Sequence, residues 1–268
     1  MRPRKRFGQH FLEAAWADKV VDAIDPAPTD CFVEIGPGPG ALTLRLARRV
    51  ARLTAIEIDR DLAAQLTRSV PGNTQIVVGD IVDQDFAALA ADGPIRVAGN
   101  LPYNVASPIL FSLLGCIRRG APIVDATIML QVEMAERLIA KVGTHEYGVL
   151  TILVGLRADL HHLLALPPGA FRPMPKVRSA LVRLTFRPPA VALADEGLFE
   201  RLVRSLFMHR RKMLANALRP VADEARVDPV RALRASGIDP RRRPETLQLA
   251  ELARLVQVLA SADATAVL

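Results

Sequence analysis

The sequence predicts an α/β protein in which a mainly parallel sheet is followed by a small domain made only of helices. Three observations predict this fold class. Short apolar runs alternate with helical patterns over about the first two thirds of the chain, a glycine-rich loop follows the first run, and only helical patterns come after residue 197. Strands separated by helical segments are typical of βαβ units, whose strands are parallel.

The first five strands are predicted in chain order at residues 31–35, 52–58, 74–80, 95–100 and 125–131. Helical patterns lie between them, through Val50 and at 59–70, 85–92 and 107–120. A further helix is predicted at 147–158, and strands at 160–166 and 179–186 are expected to finish the sheet as a hairpin around a proline-rich loop. Residues 187–197 have the composition of a linker, so we expect two domains, 1–189 and 190–268.

Composition narrows the class of protein but does not decide it. The formal net charge of +7 and the pI near 10.1 are typical of a nucleic-acid partner, and equally of a soluble protein rich in arginine. Cys31 and Cys116 form no CxxC pair, which argues against a zinc site and fits a reducing compartment. No secretory signal and no run of about 20 apolar residues is present, so we expect a cytoplasmic protein without a membrane span.

The loop after the first strand carries Gly36, Gly38 and Gly40, with Glu34 just before it. Glycines between a strand and a helix let a ligand approach the backbone closely. A dinucleotide fingerprint has the spacing G-x-G-x-x-G, whereas this loop has G-x-G-x-G. A nearby carboxylate would repel a pyrophosphate and attract a cation. The loop therefore favours S-adenosylmethionine, which carries a sulfonium and an ammonium group, over a nicotinamide dinucleotide.

The next strands also end in polar side chains. Glu57 ends the second strand, Asp80 the third and Asn100 the fourth. Open α/β sheets bind ligands at the carboxyl edge of their strands, where an acid can accept hydrogen bonds from ribose hydroxyls and another from an adenine amino group. Each residue alone is also typical of a helix cap or a turn. Together they favour a nucleoside site, with Glu57 on the ribose and Asp80 on the adenine.

The stretch after the fourth strand, Asn100-Leu101-Pro102-Tyr103, suits methylation of an adenine amino group. Adenine N6 is a weak nucleophile because its lone pair is delocalised into the ring. The Asn100 side-chain oxygen and the Leu101 carbonyl are expected to accept from the N6 hydrogens. Pro102 would stiffen the turn that aims them, and Tyr103 would stack on the base. Catalysis would rest on positioning and electrostatics rather than on a strong base.

Several motifs occur in one order over residues 4–214: RKRFGQHFL, EIGPGPGALT, AIEID, the Gly79–Asp80 pair, GNLPYN, MLQVEMAERL, FRPMPKVRSALVRL and HRRKML. The chain thereby resembles KsgA-type ribosomal RNA adenine N6,N6-dimethyltransferases. The resemblance implies a Rossmann-like class I methyltransferase sheet with S-adenosylmethionine as cofactor. It also implies transfer of two methyl groups to each of two adjacent adenosines in a hairpin loop near the 3′ end of small-subunit ribosomal RNA.

The resemblance implies further roles for individual residues. His10 and Leu12 would close over the cofactor, although the family usually has Asn at the position of His10. Phe171 would pack on the face of the adenine opposite Tyr103, or else fill the core beneath the proline-rich loop. Arg178 stands where the family usually has an acidic residue.

Basic residues near these motifs suit an RNA phosphate backbone as a group, although each alone is typical of a solvated surface. They are Arg2, Arg4, Lys5, Arg6, Arg172, Lys176, Arg178, Arg210, Arg211, Lys212 and the run at 241–243. The expected partner is small-subunit ribosomal RNA, within a pre-assembled small subunit, bound by a monomer without membrane contact. Two alternatives stay open: a large-subunit methylase conferring macrolide resistance, and a non-catalytic ribosome assembly factor.

Overall fold

A computed structural model describes residues 10–102 and 105–266, with side chains through residue 261, and it confirms the predicted α/β class. The strands are β1 Phe11–Leu12, β2 Cys31–Ile35, β3 Arg52–Glu57, β4 Thr74–Val78, β5 Ile95–Asn100, β6 Ile123–Gln131, β7 Ala158–Leu166, β8 Phe171–Arg172 and β9 Ser179–Phe186. The helices are α1 Ala14–Ile24, α2 Thr43–Leu46, α3 Arg60–Thr67, α4 Phe86–Leu89, α5 Ala106–Arg118, α6 Val132–Leu138, α7 Val149–Arg157, α8 Glu196–Met208, α9 Leu214–Ala217, α10 Arg219–Glu224, α11 Pro229–Ala235 and α12 Leu249–Ala266.

Seven strands form one sheet in the order β4-β3-β2-β5-β6-β9-β7. The pairs from β4 through β6 are parallel, and β9 is antiparallel to β6. The two late strands β7 and β9 are neighbours, as the hairpin prediction requires. Because the five parallel strands run in the same direction, the carboxyl ends of β2 to β6 meet at one edge of the sheet.

Some elements differ from the sequence prediction. The short strands β1 and β8, which pair with each other, and the helices α1 and α6 were not predicted. The helix after the glycine loop ends at Leu46 instead of Val50. Past Leu46 the Arg48 and Arg49 N–H groups donate to the carbonyls of Arg45 (3.3 Å) and Leu46 (2.8 Å), three residues back, so tight turns replace the α-helix. The Asn73 Nδ2 donates to the carbonyls of Ala47 (2.8 Å) and Val50 (3.0 Å) beyond the helix end.

The chain divides into two compact units, residues 1–135 with 159–186, and residues 136–158 with 187–268. The sequence-based division after residue 189 differs in placing 136–158 with the sheet. Contacts inside the second unit explain this grouping: the Tyr147 hydroxyl donates to the Leu247 carbonyl at 2.9 Å, and the Gly143 N–H donates to the Glu245 carbonyl at 2.8 Å. In the described part of the chain, no helix is both long enough and apolar enough to cross a membrane.

A buried ion network holds the amino edge of the sheet. The guanidinium of Arg96, at the start of β5, donates to both carboxylate oxygens of Asp125 (3.0 and 3.1 Å) and to Asp30 (2.7 Å). It also donates to the carbonyl of Ile24 at the end of α1 (3.1 Å), which accepts from Arg183 as well (2.6 Å). Only 13% of the Arg96 side chain is exposed. The network therefore satisfies the terminal carbonyls of α1 and ties that helix to the sheet.

We predict that Arg96→Met lowers the free energy of unfolding by about 3–5 kcal/mol, because it leaves buried carboxylates without their partner. Urea unfolding followed by circular dichroism measures this. Arg49→Met is the matched control, since Arg49 pairs with Asp22 on the surface and should cost no more than about 1 kcal/mol. Equal small losses in both variants would show that the network does not carry this stability.

Candidate active site

The glycine loop between β2 and α2 has a backbone that few other residues could adopt. Gly36, Gly38 and Gly40 all have positive φ, at +64°, +55° and +91°. A β-carbon on Gly38 would lie 3.1 Å from the ring of Phe11, and one on Gly40 would lie 2.4 Å from a methyl of Leu66. Glycine is therefore favoured by backbone conformation at all three positions, and at Gly38 the Phe11 ring also leaves little room for a side chain.

Glu57 clamps this loop to the end of β3. Its Oε2 accepts from the Gly38 N–H and its Oε1 from the Asp59 N–H, both at 2.9 Å, and the residue is 3% exposed. Burial raises the pKa of Glu57, while the backbone N–H groups of Asp59, Gly38 and Ile58 oppose the shift. A carboxylate offers about four lone-pair sites, so these three backbone donors leave it able to accept from a ligand hydroxyl.

Glu34, at the end of β2, is a buried acid whose charge has little compensation. The residue is 2% exposed, and its Oε2 has no hydrogen-bond partner among the described residues. Burial raises the pKa of Glu34 to about 8; the neighbouring Thr43 hydroxyl lowers it, and the charge of Glu57 raises it. An unpaired carboxyl in the interior is costly. A cationic or N–H-bearing ligand on the loop would relieve that cost.

Asp80 lies past the end of β4, where its Oδ1 accepts from the Val82 N–H at 3.0 Å and caps a short 3₁₀ turn. Its second carboxylate oxygen makes no hydrogen bond within the described chain. Two apolar side chains missed by the sequence analysis follow the acids: Ile58, after Glu57, is 46% exposed, and Val82 is 43% exposed. Ile58 directly follows Glu57 and Val82 stands two residues after Asp80, so an apolar residue one or two positions after an acid at a strand end was the available signal.

Asn100 and Leu101 present the two acceptors that were predicted. The Asn100 Nδ2 donates to the His10 carbonyl at 2.7 Å, so its Oδ1 faces away from that bond, and no described residue donates to it. The Leu101 N–H donates to the Met129 carbonyl at 3.4 Å, and within the described residues its own carbonyl receives no donor. The Pro102 carbonyl accepts from the Val105 N–H at 3.0 Å as α5 begins. Tyr103 lies outside the described residues.

A close approach of two strands brings these acceptors beside the glycine loop. Gly99 pairs with Ile35 across β5 and β2, and a β-carbon on Gly99 would lie 2.7 Å from the Ile35 carbonyl oxygen. Any larger residue at position 99 would push the strands apart. Asn100 and Gly36, the next residues on the two strands, are therefore neighbours at the carboxyl edge.

The amino-terminal segment packs on the sheet unit through His10 and Leu12, whose implied roles in closing over the cofactor stay predictions. The His10 Nδ1 lies 2.7 Å from the Pro173 carbonyl, and Leu12 is buried opposite Phe171 in the β1–β8 pair. The contact with the glycine loop comes from Phe11, whose ring lies against Gly38. Sequence analysis missed Phe11, although aromatic residues make up only 4% of the chain.

Phe171 is buried in this structure, and its predicted stacking on a target base stays a prediction. Phe171 is 0% exposed and packs in a core cluster with Leu12, Leu166 and Leu181. Residues alternate across a strand, so β8 turns Phe171 inward and Arg172 outward. The alternative of a core residue beneath the proline-rich loop therefore describes Phe171 in this structure.

The basic residues divide into paired and solvent-facing groups. Arg210 donates to the carbonyls of Thr144 and His145, Arg241 pairs with Asp239, and Arg242 pairs with Glu251. Arg172 is exposed but pairs with Glu13 at 3.2 Å. Further exposed basic side chains are those of Lys176, Arg178, Arg211, Lys212 and Arg243. Arg2, Arg4, Lys5 and Arg6 lie outside the described residues. The first-named arginines hold loops together, so the exposed set is the better candidate for RNA contact.

These features together define a Rossmann-like class I methyltransferase. The sheet is mainly parallel, a glycine loop follows its first long strand, acids follow the next two strands, and an amide ends the fourth. The profile of the ribosomal RNA adenine dimethylase family matches residues 1–261. The chain belongs to this family, which confirms the predicted resemblance and the class of enzyme.

Relatives agree over nearly the whole chain. It is 43% identical over 259 residues to the ribosomal RNA small subunit methyltransferase A of Xanthomonas campestris pv. campestris, covering 95% of both chains. It is 44% identical over 263 residues to the protein of that name from Aromatoleum aromaticum, covering 97% of this chain and 95% of the other. A dimethyladenosine transferase from Plasmodium falciparum shares the fold, with a TM-score of 0.76, 23% identity and coverage of 94% and 98%. The 23S rRNA methyltransferase ErmE has a TM-score of 0.64 at 26% identity, with coverage of 93% and 99%.

We predict that stability falls with rising pH because of Glu34. Its pKa is about 8 in the folded state against 4.5 for the ordinary group, so the folded protein holds a proton that the unfolded chain releases between these values. The loss is at most about 1.4 kcal/mol per pH unit. Glu34→Gln cannot titrate at this position. In the absence of cofactor, the free energy of unfolding of Glu34→Gln minus that of the native protein should therefore increase from pH 5 to pH 8.

Urea unfolding at pH 5, 6.5 and 8 measures this difference. Glu133→Gln, an exposed glutamate on α6, is the control, and its difference from the native protein should stay constant. Parallel pH curves for Glu34→Gln and the native protein would mean that Glu34 is already ionised when folded.

Proposed function

We propose that this enzyme uses S-adenosylmethionine to dimethylate N6 of two adjacent adenosines in a hairpin loop near the 3′ end of small-subunit ribosomal RNA. Family membership supports the reaction class, and the names of the two bacterial relatives support the small subunit. The observation that carries the proposal is the pair of open acceptors, the Asn100 side-chain oxygen and the Leu101 carbonyl, beside the glycine loop.

The residues at the sheet edge fit S-adenosylmethionine. The unpartnered buried oxygen of Glu34 suits the cationic amino-acid end, and the remaining lone pairs of Glu57 suit the ribose hydroxyls. Asp80 offers an exposed acceptor for the adenine amino group, with Ile58 and Val82 as apolar neighbours in the chain. When bound, the cofactor supplies a methyl group on a sulfonium, which is a good leaving group.

The chain itself supplies geometry and electrostatics. The two N6–H groups would donate hydrogen bonds to the Asn100 oxygen and the Leu101 carbonyl. These bonds favour an sp3-like nitrogen whose lone pair is available to accept the methyl group. The bound cofactor would supply the methyl group, Asn100 and Leu101 would hold the target amine, and the proton that N6 loses would pass to water. A single hydrogen remains for the second transfer, and one acceptor is enough to hold it. The role of Tyr103 in stacking on the base stays a prediction.

The RNA would be held by the exposed cations of each unit: Arg172, Lys176 and Arg178 on the sheet unit, and Arg211, Lys212 and Arg243 on the helical unit. The predicted RNA-binding domain at 190–268 covers most of that second unit. Phosphate contacts of this kind position a substrate without reading its sequence. A pre-assembled small subunit as substrate, a monomeric state and a cytoplasmic location stay predictions.

We predict that the protein labels small ribosomal subunits lacking adenine dimethylation, with label found as dimethyladenosine by mass spectrometry. Asn100→Ala should lower the rate at saturating cofactor by about 100-fold, the typical loss when one preorganised electrostatic partner is removed. Gln257→Ala, an exposed amide on α12, should leave the rate unchanged.

Large subunits tested in parallel separate the alternatives. Label in the large subunit alone would assign the protein to the resistance methylases. Cofactor binding with no transfer to either subunit would favour the assembly factor. Either of these two results would overturn the proposal.

A further inference from the structure

The segment His10–Glu13, here called the arm, contacts both halves of the site. The ring of Phe11 lies against Gly38 of the glycine loop, where an added β-carbon would meet it at 3.1 Å. One residue earlier, the His10 carbonyl accepts from Asn100 Nδ2 at 2.7 Å. Adjacent residues of the arm thus touch the glycine loop and the amide proposed to hold the target base.

The arm is anchored independently of these two contacts. Its strand β1 pairs with β8, the Glu13 N–H donates to the Ala170 carbonyl at 2.9 Å, and Leu12 is 8% exposed in the core. The His10 ring adds a contact with the Pro173 carbonyl at 2.7 Å. The arm can therefore transmit a constraint from one side of the site to the other.

The bond to His10 decides which end of the Asn100 amide faces the target. The oxygen and nitrogen ends of a side-chain amide have nearly the same shape, and only hydrogen bonding distinguishes them. A backbone carbonyl can only accept, so it must face the Nδ2 end. The Oδ1 end then points away from the arm, where N6 hydrogens can donate to it. The reverse orientation would set two oxygens against each other and turn N–H donors toward the target amine.

We infer that the arm is a positioning element that couples the glycine loop to the orientation of Asn100, with Phe11 as its contact on the cofactor side. This inference rests on the proposed function and deepens it. Coupling between sites is reciprocal, so whatever holds Phe11 on the glycine loop also stabilises the productive orientation of Asn100, and the Asn100 bond also stabilises the arm.

The first test needs no catalysis. In the protein without cofactor, Asn100→Ala removes the bond to His10, so the amide hydrogen of Glu13 should exchange about tenfold faster, as expected for one lost hydrogen bond. Exchange measured by NMR at Ala55 in β3 is the internal reference. Asp80→Ala is the matched control, because Asp80 is a site residue with no hydrogen bond to the arm, and it should leave Glu13 exchange unchanged. Equal Glu13 exchange in Asn100→Ala and the native protein would overturn the inference.

The second test asks whether Phe11 acts through Asn100. In single turnovers at saturating cofactor, Phe11→Ala should slow transfer about tenfold in the native background. It should have almost no effect in Asn100→Ala, where no amide remains to be aimed. Phe11→Leu, which keeps an apolar contact on Gly38, should recover most of the rate. If the two losses multiply, or if saturating cofactor abolishes the Phe11 effect, Phe11 only covers the cofactor and the inference is wrong. Absence of any transfer by the native protein would refute the proposed function, while the exchange experiment would still decide the arm's link to Asn100.

Discussion

The buried guanidinium of Arg96 is the constraint on which the position of the site depends. Together with Arg183, it holds the terminal carbonyls of α1 at the amino edge of the sheet. Helix α1 has 11 residues and so spans about 16 Å, comparable to a strand of the sheet. Its first turn is preceded directly by the arm. An ion network at one edge thereby determines where the arm lies at the other edge, beside the glycine loop and Asn100.

The carboxyl edge concentrates polar groups that a stable core would exclude. Glu34 and Glu57 are both buried, and the charge of Glu57 raises the pKa of Glu34. Glu57 is compensated by backbone donors, whereas Glu34 has an oxygen without any in the described structure. Local violations of good packing rules are expected where a ligand supplies the missing partner. The energetic cost of Glu34 is thus the physical reason for proposing the cofactor site at this edge.

The differences between expectation and structure at the target side share one cause. Phe171, for which stacking on the base and a core position were both considered, is buried, while Phe11, for which no role was predicted, contacts the glycine loop. Both positions follow from the pairing of β1 with β8, two strands of two residues each. Strands this short leave no periodic pattern, so sequence analysis could not assign an inner and an outer face. The burial of Phe171 is therefore a consequence of tertiary pairing.

The sequence by itself determined the fold class, the strands of the main sheet, the glycine loop and the family, because these depend on local periodicity and on motifs in linear order. The polar strand ends were also visible, since parallel strands must bring their carboxyl ends to one edge. Only the tertiary structure decided which N–H groups donate to Glu57 and that Glu34 Oε2 has no donor among the described residues. It also decided the orientation of the Asn100 amide. The His10–Asn100 and His10–Pro173 contacts join residues 90 and 163 positions apart. Such contacts exist only once the whole sheet has assembled, so no local pattern in the chain encodes them.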